Sequence, residues 1–229
     1  MERPRGPFKG RLEKALTRDE RGHLALTVAF TAVAGFVDAI GFLRLNGLFL
    51  GFMSGNSTRF AVALARMRWV EAGRAGGLVL LFVGGVVVGA SIGRAAGAWR
   101  RPAILVGEAM LLVLGMALGR LGFAGAVPLV LAMGVQNAAL QKVGGIQVSV
   151  TYITGALVQL GERLADPGTS PRWSWTPHAL LWLGLVIGGA FGATAYVHFG
   201  LVALAAPAGG ALALGAMLAP RAGRGSASR

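Results

Sequence analysis

One carboxylate, Asp38, falls in the middle of the apolar run TAVAGFVDAIGFL. At the centre of a membrane helix a carboxylate costs roughly 2.5–3.5 kcal/mol on insertion scales, so Asp38 is expected to face a cavity or a polar partner rather than lipid. It could couple a proton or a cation to movement of a solute. It could equally be a structural tie, to Arg59 or to a backbone amide. Asn137 stands 99 residues further on as its uncharged counterpart, with Gln136 beside it, so a site shared by the two would be asymmetric in charge. Glu108, within RPAILVGEAMLLVLG, is a second coupling candidate, with interfacial placement or a polar helix contact as the alternative.

A second group of polar residues interrupts two other apolar segments. LFLGFMSGNSTRFAVALAR (48–66) begins as an extended apolar run and changes at Ser54, Gly55, Asn56 and Ser57 to the residues that start helices. IQVSVTYITGALVQLGERL (146–164) alternates Val148, Val150 and Tyr152 before Thr154 and Gly155. Ser, Thr and Asn favour helix N-caps because their side chains accept bonds from unpaired backbone N–H groups. Each segment therefore predicts a short extended stretch leading into a half-helix that starts inside the membrane, the alternative being an ordinary spanning helix with tolerated polar residues. Ser54, Gly55, Asn56 and Thr58, with Thr151, Thr154 and Gly155, would bring two half-helix N-termini near the midplane. Free N–H groups and about half a positive charge there suit an anionic or strongly polar solute. Arg59, one turn on, adds to that sign unless it pairs with Asp38 or reaches the interface.

The elements that must position these residues form a repeat. Gly85-x3-Gly89-x3-Gly93 returns as Gly184-x3-Gly188-x3-Gly192, and the same 99-residue shift carries Gly35, Asp38 and Ala39 onto Gly134, Asn137 and Ala138. Glycines at every fourth position make a smooth helix face that lets backbones approach closely. Duplicated membrane halves are common in transporters, with the site where the halves meet. Expected boundaries are a basic tail over 1–22, repeat 1 over 23–121, repeat 2 over 122–219, and a second tail over 220–229.

Hydrophobic residues make up 55% of the chain and charged ones 14%, and the apolar segments run close to 20 residues, which predicts an all-α polytopic membrane protein. The eight segments are roughly 23–45, 48–66, 76–96, 102–120, 124–142, 146–164, 177–198 and 200–219. The net charge of +13 does not point to nucleic acid, because seven of the 22 basic residues lie in the first 21 positions and most others in short loops. That distribution reads as membrane orientation and contact of the N-terminal segment with anionic lipid. The first apolar run is too long for a cleaved signal, so the N-terminus is expected to be retained. With no cysteine, thiol catalysis and thiolate metal sites are excluded, and His23, His178 and His198 sit at span ends without clustering, so no metal or cofactor is expected. No nucleotide loop, zinc-protease helix or nucleophile elbow supports an enzyme. Lys142, Glu162 and Arg163 near segment ends read as topological or paired surface residues, and the five tryptophans near segment ends read as interfacial anchors.

Topology depends on whether segments 48–66 and 146–164 cross or re-enter. Re-entry gives three spans per half and inverts the second half; crossing gives eight spans and parallel halves. Re-entry would put the seven N-terminal basic residues, Arg94, Arg100, Arg101, Lys142, Arg163, Arg172 and three C-terminal arginines in the cytoplasm, sixteen in all. Crossing also reaches sixteen, so the positive-inside rule does not choose, and both place the two termini in the cytoplasm.

The stretch AGFVDAIGFLRLNGLFLGFMSGNSTRFAVALA (34–65) resembles the YoaK-like family of bacterial membrane proteins, the domain of unknown function 1275, as do GVQNAAL (134–140) and VTYITGALVQLGERL (150–164). The resemblance spans about residues 23–219. It implies a bacterial inner-membrane location and no defined activity, and Val150 stands where the family tends to have a further threonine before the Tyr-x-Thr-Gly step. The expectation is a small secondary transporter or channel for a small polar or anionic solute, oligomeric because 229 residues leave little material for a gated pathway. The alternative is a membrane scaffold or sensor in which Asp38 and the Ser-Gly-Asn step satisfy each other.

Overall fold

The computed structural model describes residues 18–139, 153–165 and 174–226. Among these the chain is helical without strands: α1 (Arg18–Arg44), α2 (Met53–Ala65), α3 (Trp69–Ala95), α4 (Arg100–Ala117), α5 (Val127–Ala139), α6 (Ile153–Ala165), α7 (Thr176–Phe199) and α8 (Ala205–Ser226), with short 3-10 turns between several of them. Stretches Leu24–Arg44, Trp69–Ala95, Gly97–Leu121 and Thr176–Ala219 are long and apolar enough to cross a membrane, and the last contains both α7 and α8. Large apolar side chains such as Leu80, Met110 and Phe191 lie exposed on their outer faces, where lipid would cover them. The eight expected segments each hold one helix. The third helix begins at Trp69 rather than near residue 76, with Arg68 at its N-cap paired to Glu71 in the first turn.

α2 and α6 differ from the rest. α2 has 13 residues, about 20 Å of helix at 1.5 Å per residue, well short of the roughly 30 Å hydrocarbon layer, while Ile153–Ala165 is the described part of α6. α5 is apolar but for Gln136 and Asn137 and correspondingly central, with Leu129, Val130, Met133 and Val135 fully buried.

The glycine triplets decide how the helices pair. A Cβ at Gly188 would run into the Ala32 carbonyl, and at Gly192 into that of Phe36; on the other side of the crossing, a Cβ at Gly35 would meet the Leu185 carbonyl. α1 and α7 thus pack backbone to backbone and run parallel. α3 and α5 do the same: Gly85 lies on Leu131, Gly89 on Val135 and Gly134 on Phe82 and Val86. The two crossings correspond, since the shift that carries Gly35 to Gly134 carries Val86 to Leu185. Each repeat therefore packs its first helix on the third helix of the other repeat. α4 packs antiparallel on α8, with Leu201 beside Gly119 at one end and Gly215 beside Pro102 at the other.

Directions follow from these contacts. Arg44, ending α1, donates to the carbonyls of Gly119 and Gly122 just after α4, so α1 and α4 finish at the same end of the bundle. Arg100, opening α4, donates to Ala138 O near the end of α5 (2.8 Å) and lies under Gly93 of α3, which marks the opposite end. α1, α4 and α7 run toward the Arg44 end, and α3, α5 and α8 run away from it. Helices that correspond under the 99-residue shift point in opposite directions.

Substituting Gly188→Leu or Gly89→Leu sets a side chain against backbone atoms that no rotamer change can move, a cost of at least roughly 1–3 kcal/mol. Thermal unfolding in detergent should show a large loss for either and almost none for Gly73→Leu, whose Cβ meets open space. Gly97 is no such comparison although its Cβ also meets open space, because at φ +52° a side chain there is strained for a separate reason. Equal tolerance at positions 73, 89 and 188 would remove the glycine faces as the source of the pairing.

Candidate functional site

The region around Asp38 is built by the way α1 stops. Asn46 and Gly47 take left-handed backbone conformations (φ 53° and 86°), and Gly47 N donates to Phe42 O at 2.8 Å, which closes the end of α1. Leu48 to Phe52 then form neither helix nor strand and bend at Leu50 and Gly51, which brings them back to the depth of Asp38. Gly41 leaves room for the fully buried Leu50. Asp38 Oδ1 accepts the N–H groups of Leu50 (2.7 Å) and Gly51 (2.6 Å). Asn56, also fully buried, accepts from Phe49 N (2.9 Å) and donates to Phe49 O (2.7 Å). Irregular backbone at membrane depth persists only where protein or water satisfies it, and Asp38 and Asn56 do so here.

The expected cap is replaced by a different device. α2 begins at Met53 after Phe52, and no side chain caps it. The Ser57 and Thr58 hydroxyls instead donate to carbonyls one turn back in α2, Met53 O (2.9 Å) and Ser54 O (3.1 Å). α6 likewise begins one residue before Thr154, at Ile153.

A cavity of about 590 Å³ lies where the repeats meet. Asp38 borders it from α1, Asn137 from α5, Thr154 from α6, and Leu185 and Gly189 from α7, with Gly51 from the irregular stretch. The rest of the wall is apolar and carries three rings, Phe42, Phe49 and Phe52, with successive centroids 5.2 Å apart. Asp38, Asn137 and Thr154 are thus brought together as the sequence suggests. Asn137 also donates to Met133 O (2.9 Å).

Other candidate residues go elsewhere. Ser54 is exposed, and Gly55 lies beneath the Phe49 and Phe52 rings. Thr58 and Arg59 line a second cavity at the Arg44 end, and Arg59 donates to Asn46 O (3.3 Å) rather than to Asp38. Six residues of α2 separate Met53 from Arg59, about 9 Å of rise, which carries the guanidinium away from the carboxylate. Gly155 does not border the first cavity, and Thr151 lies outside the described residues. Gln136 points into the α4–α5 contact, where its Nε2 donates to Glu108 Oε1 at 2.9 Å. Both residues are fully buried, and Glu108 Oε2 and Gln136 Oε1 meet no donor among the described residues. Sequence reasoning passed over the three phenylalanines, whose only signal is their placement on either side of the loop.

Several apolar helices of spanning length, with a short helix, α2, that begins inside the bundle, define a multi-pass α-helical membrane protein. The chain belongs to the family described as "Protein of unknown function (DUF1275)", whose profile matches residues 26–217. It is 36% identical over 200 residues to a UPF0700 transmembrane protein, RA0705, of Rhizobium meliloti (strain 1021), covering 83% of this chain and 84% of that one. No solved structure matches it.

Two substitutions separate the bonds. Asn56→Ala removes both contacts to Phe49 and leaves buried backbone groups unpaired, at about 1–3 kcal/mol each, so thermal unfolding in detergent should come markedly earlier. Asp38→Asn keeps an acceptor oxygen for the two amides and should fold, whereas Asp38→Leu should not accumulate in the membrane. In the second buried pair, Glu108→Gln supplies the donor that Gln136 Oε1 lacks. That variant should unfold no earlier than the native protein, and Glu108→Ala clearly earlier; the reverse order would show that the Glu108 carboxyl is held by something other than Gln136.

Proposed function

We propose that the protein is a small secondary transporter or channel of the bacterial inner membrane, whose solute occupies the cavity between Asp38 and Asn137. The observation that carries this reading is the coincidence of three features in one place: a carboxylate in mid-helix, the meeting of the two repeats, and helix pairs that correspond by repeat but run in opposite directions. Alternating-access proteins of this kind place a solute between inverted repeats, next to helices that begin inside the membrane. α2 and α6 are read as re-entrant, which gives six spans. Both termini and the basic residues of the Arg100 end then face the cytoplasm.

Cavity chemistry narrows the solute. With apolar walls, three aromatic rings and one carboxylate, the site disfavours an anion and suits a small solute with an apolar body and a cationic or hydrogen-bond-donating head. Aromatic faces attract a cation within about 6 Å of their centroids, which adds to the carboxylate's pull. Arg59, on which an anionic solute would depend, lies in the other cavity.

A second reading, a non-transporting scaffold or sensor, draws on the same bonds: Asp38 already holds Leu50 and Gly51, so the carboxylate has a structural role without any solute. Thermal shift of the purified protein against a panel of small organic ammonium ions, neutral amides and carboxylates separates the two. Stabilisation by ammonium or amide compounds, lost in the cavity-filling variant Ala193→Phe, supports a solute site. Absence of any stabilisation that Ala193→Phe abolishes leaves the scaffold reading.

Because the native chain has no cysteine, topology is open to a direct measurement with single exposed cysteines and a membrane-impermeant thiol reagent on intact cells. Re-entry of α2 predicts that Met67→Cys and Leu121→Cys label from outside and Ala98→Cys does not. The opposite pattern is the one required by eight spans and would end the inverted-repeat mechanism.

A further inference from the structure

The second cavity, about 770 Å³ at the Arg44 end, has the reverse chemistry of the first. Five arginines line it, Arg44, Arg59, Arg66, Arg68 and Arg74, against one carboxylate, Glu71. Arg68 pairs with that carboxylate at 3.2 Å. The other four guanidinium groups meet only neutral partners among the described residues. Arg44 donates to the Gly119 and Gly122 carbonyls and keeps a buried Nε with no acceptor. Arg59 reaches Asn46 O, and Arg74 lies over the Phe123 ring at 5.7 Å. Arg66, exposed at the end of α2, meets no acceptor among the described residues.

Carbonyls and a ring hold these side chains in place without cancelling their charge. Four positive charges without a carboxylate partner gather around one cavity; Arg44 is half-buried and the others are exposed, so water lowers but does not cancel their mutual repulsion, and together they make a positive field at the cavity mouth. The ligand that relieves this is a compact oxyanion with more than one acceptor oxygen, since the guanidinium fork matches phosphate in two-point contacts. Depth points the same way. Trp69 and Met67 lie exposed beside the cavity, and an exposed tryptophan marks the headgroup level where phosphate is found. If the termini are cytoplasmic, the cluster sits on the outer side, where positive-inside bias does not account for it.

We propose that the arginine-lined cavity is a binding site for a phosphate-bearing anion, either a phospholipid headgroup or a free phosphate compound. It depends neither on transport nor on the solute of the first cavity. The test uses the full chain purified in neutral detergent, with calorimetric titration of inorganic phosphate and of glycerol 3-phosphate against a chloride control at equal ionic strength. In parallel, native mass spectrometry follows phosphatidylglycerol retained from mixed micelles containing phosphatidylcholine.

Saturable binding of either class is expected, with Arg66→Gln weakening it at least fivefold and Arg94→Gln, which removes the same charge at the far end, leaving it within twofold. Competition between phosphate and phosphatidylglycerol would identify one site open to both sources. Retention of the lipid without binding of the free compounds would identify a headgroup site, and the converse a site for a soluble phosphate. Arg66 is exposed, so its variant should fold; Arg59→Lys, keeping charge but losing the fork, should also weaken binding. The proposal fails if no phosphate compound binds above the chloride control. It fails equally if Arg94→Gln weakens binding as much as Arg66→Gln, since the effect would then be net charge alone.

Discussion

Backbone N–H groups cannot be left unpaired at membrane depth, and the bond from Leu50 and Gly51 to the Asp38 carboxylate is how this protein meets that constraint. The irregular stretch after Gly47 could not lie beside α1 without acceptors, because it forms no helix of its own and no sheet. Asp38 supplies one oxygen to two amides, and Asn56 closes the stretch from the other side. The costly carboxylate and the costly loop offset each other. From that arrangement follow the late start of α2, the three clustered rings and one wall of the central cavity.

The second organising constraint is steric. Close approach of α1 to α7 and of α3 to α5 requires glycine at the points of contact, and it binds the first helix of each repeat to the third helix of the other. Neither repeat can bury its glycine face alone. The central cavity lies beside these crossings, between an acidic position of one repeat and an amide position of the other. A small relative movement of the two crossings would change its shape, which is why the smooth faces matter for a transport reading as well as for packing.

Charge is distributed between the two cavities in a way that the loop between α1 and α2 controls. Asp38 faces the inner cavity and Arg59 the outer one, with the same short segment of chain touching both. Glu108 and Gln136 stand apart from either, as a polar pair inside the α4–α5 contact. The bundle thus holds an acidic, aromatic cavity at depth and a strongly basic one at its rim.

Much of the architecture was legible from residue types alone. Apolar segments near 20 residues, the 99-residue recurrence and the glycine spacing are local properties, so the eight helices and their close-packed faces could be read from them. The start of α2 inside its apolar segment could be read as well, from the polar Ser-Gly-Asn step that falls in its first turn, although no side chain caps it there. The choice of partner could not. Asp38 had two chemically reasonable partners in Arg59 and a backbone amide, and the difference was decided by where α2 begins and how far its helical rise carries Arg59. Nothing in the sequence singles out Phe42, Phe49 and Phe52, which the loop folds onto one wall, or joins Arg44, Arg66, Arg68 and Arg74, which the packed bundle gathers around one cavity. Local patterning set the helices; side-chain convergence across residues far apart in sequence depends on crossing geometry and helix direction, and these exist only in the packed bundle.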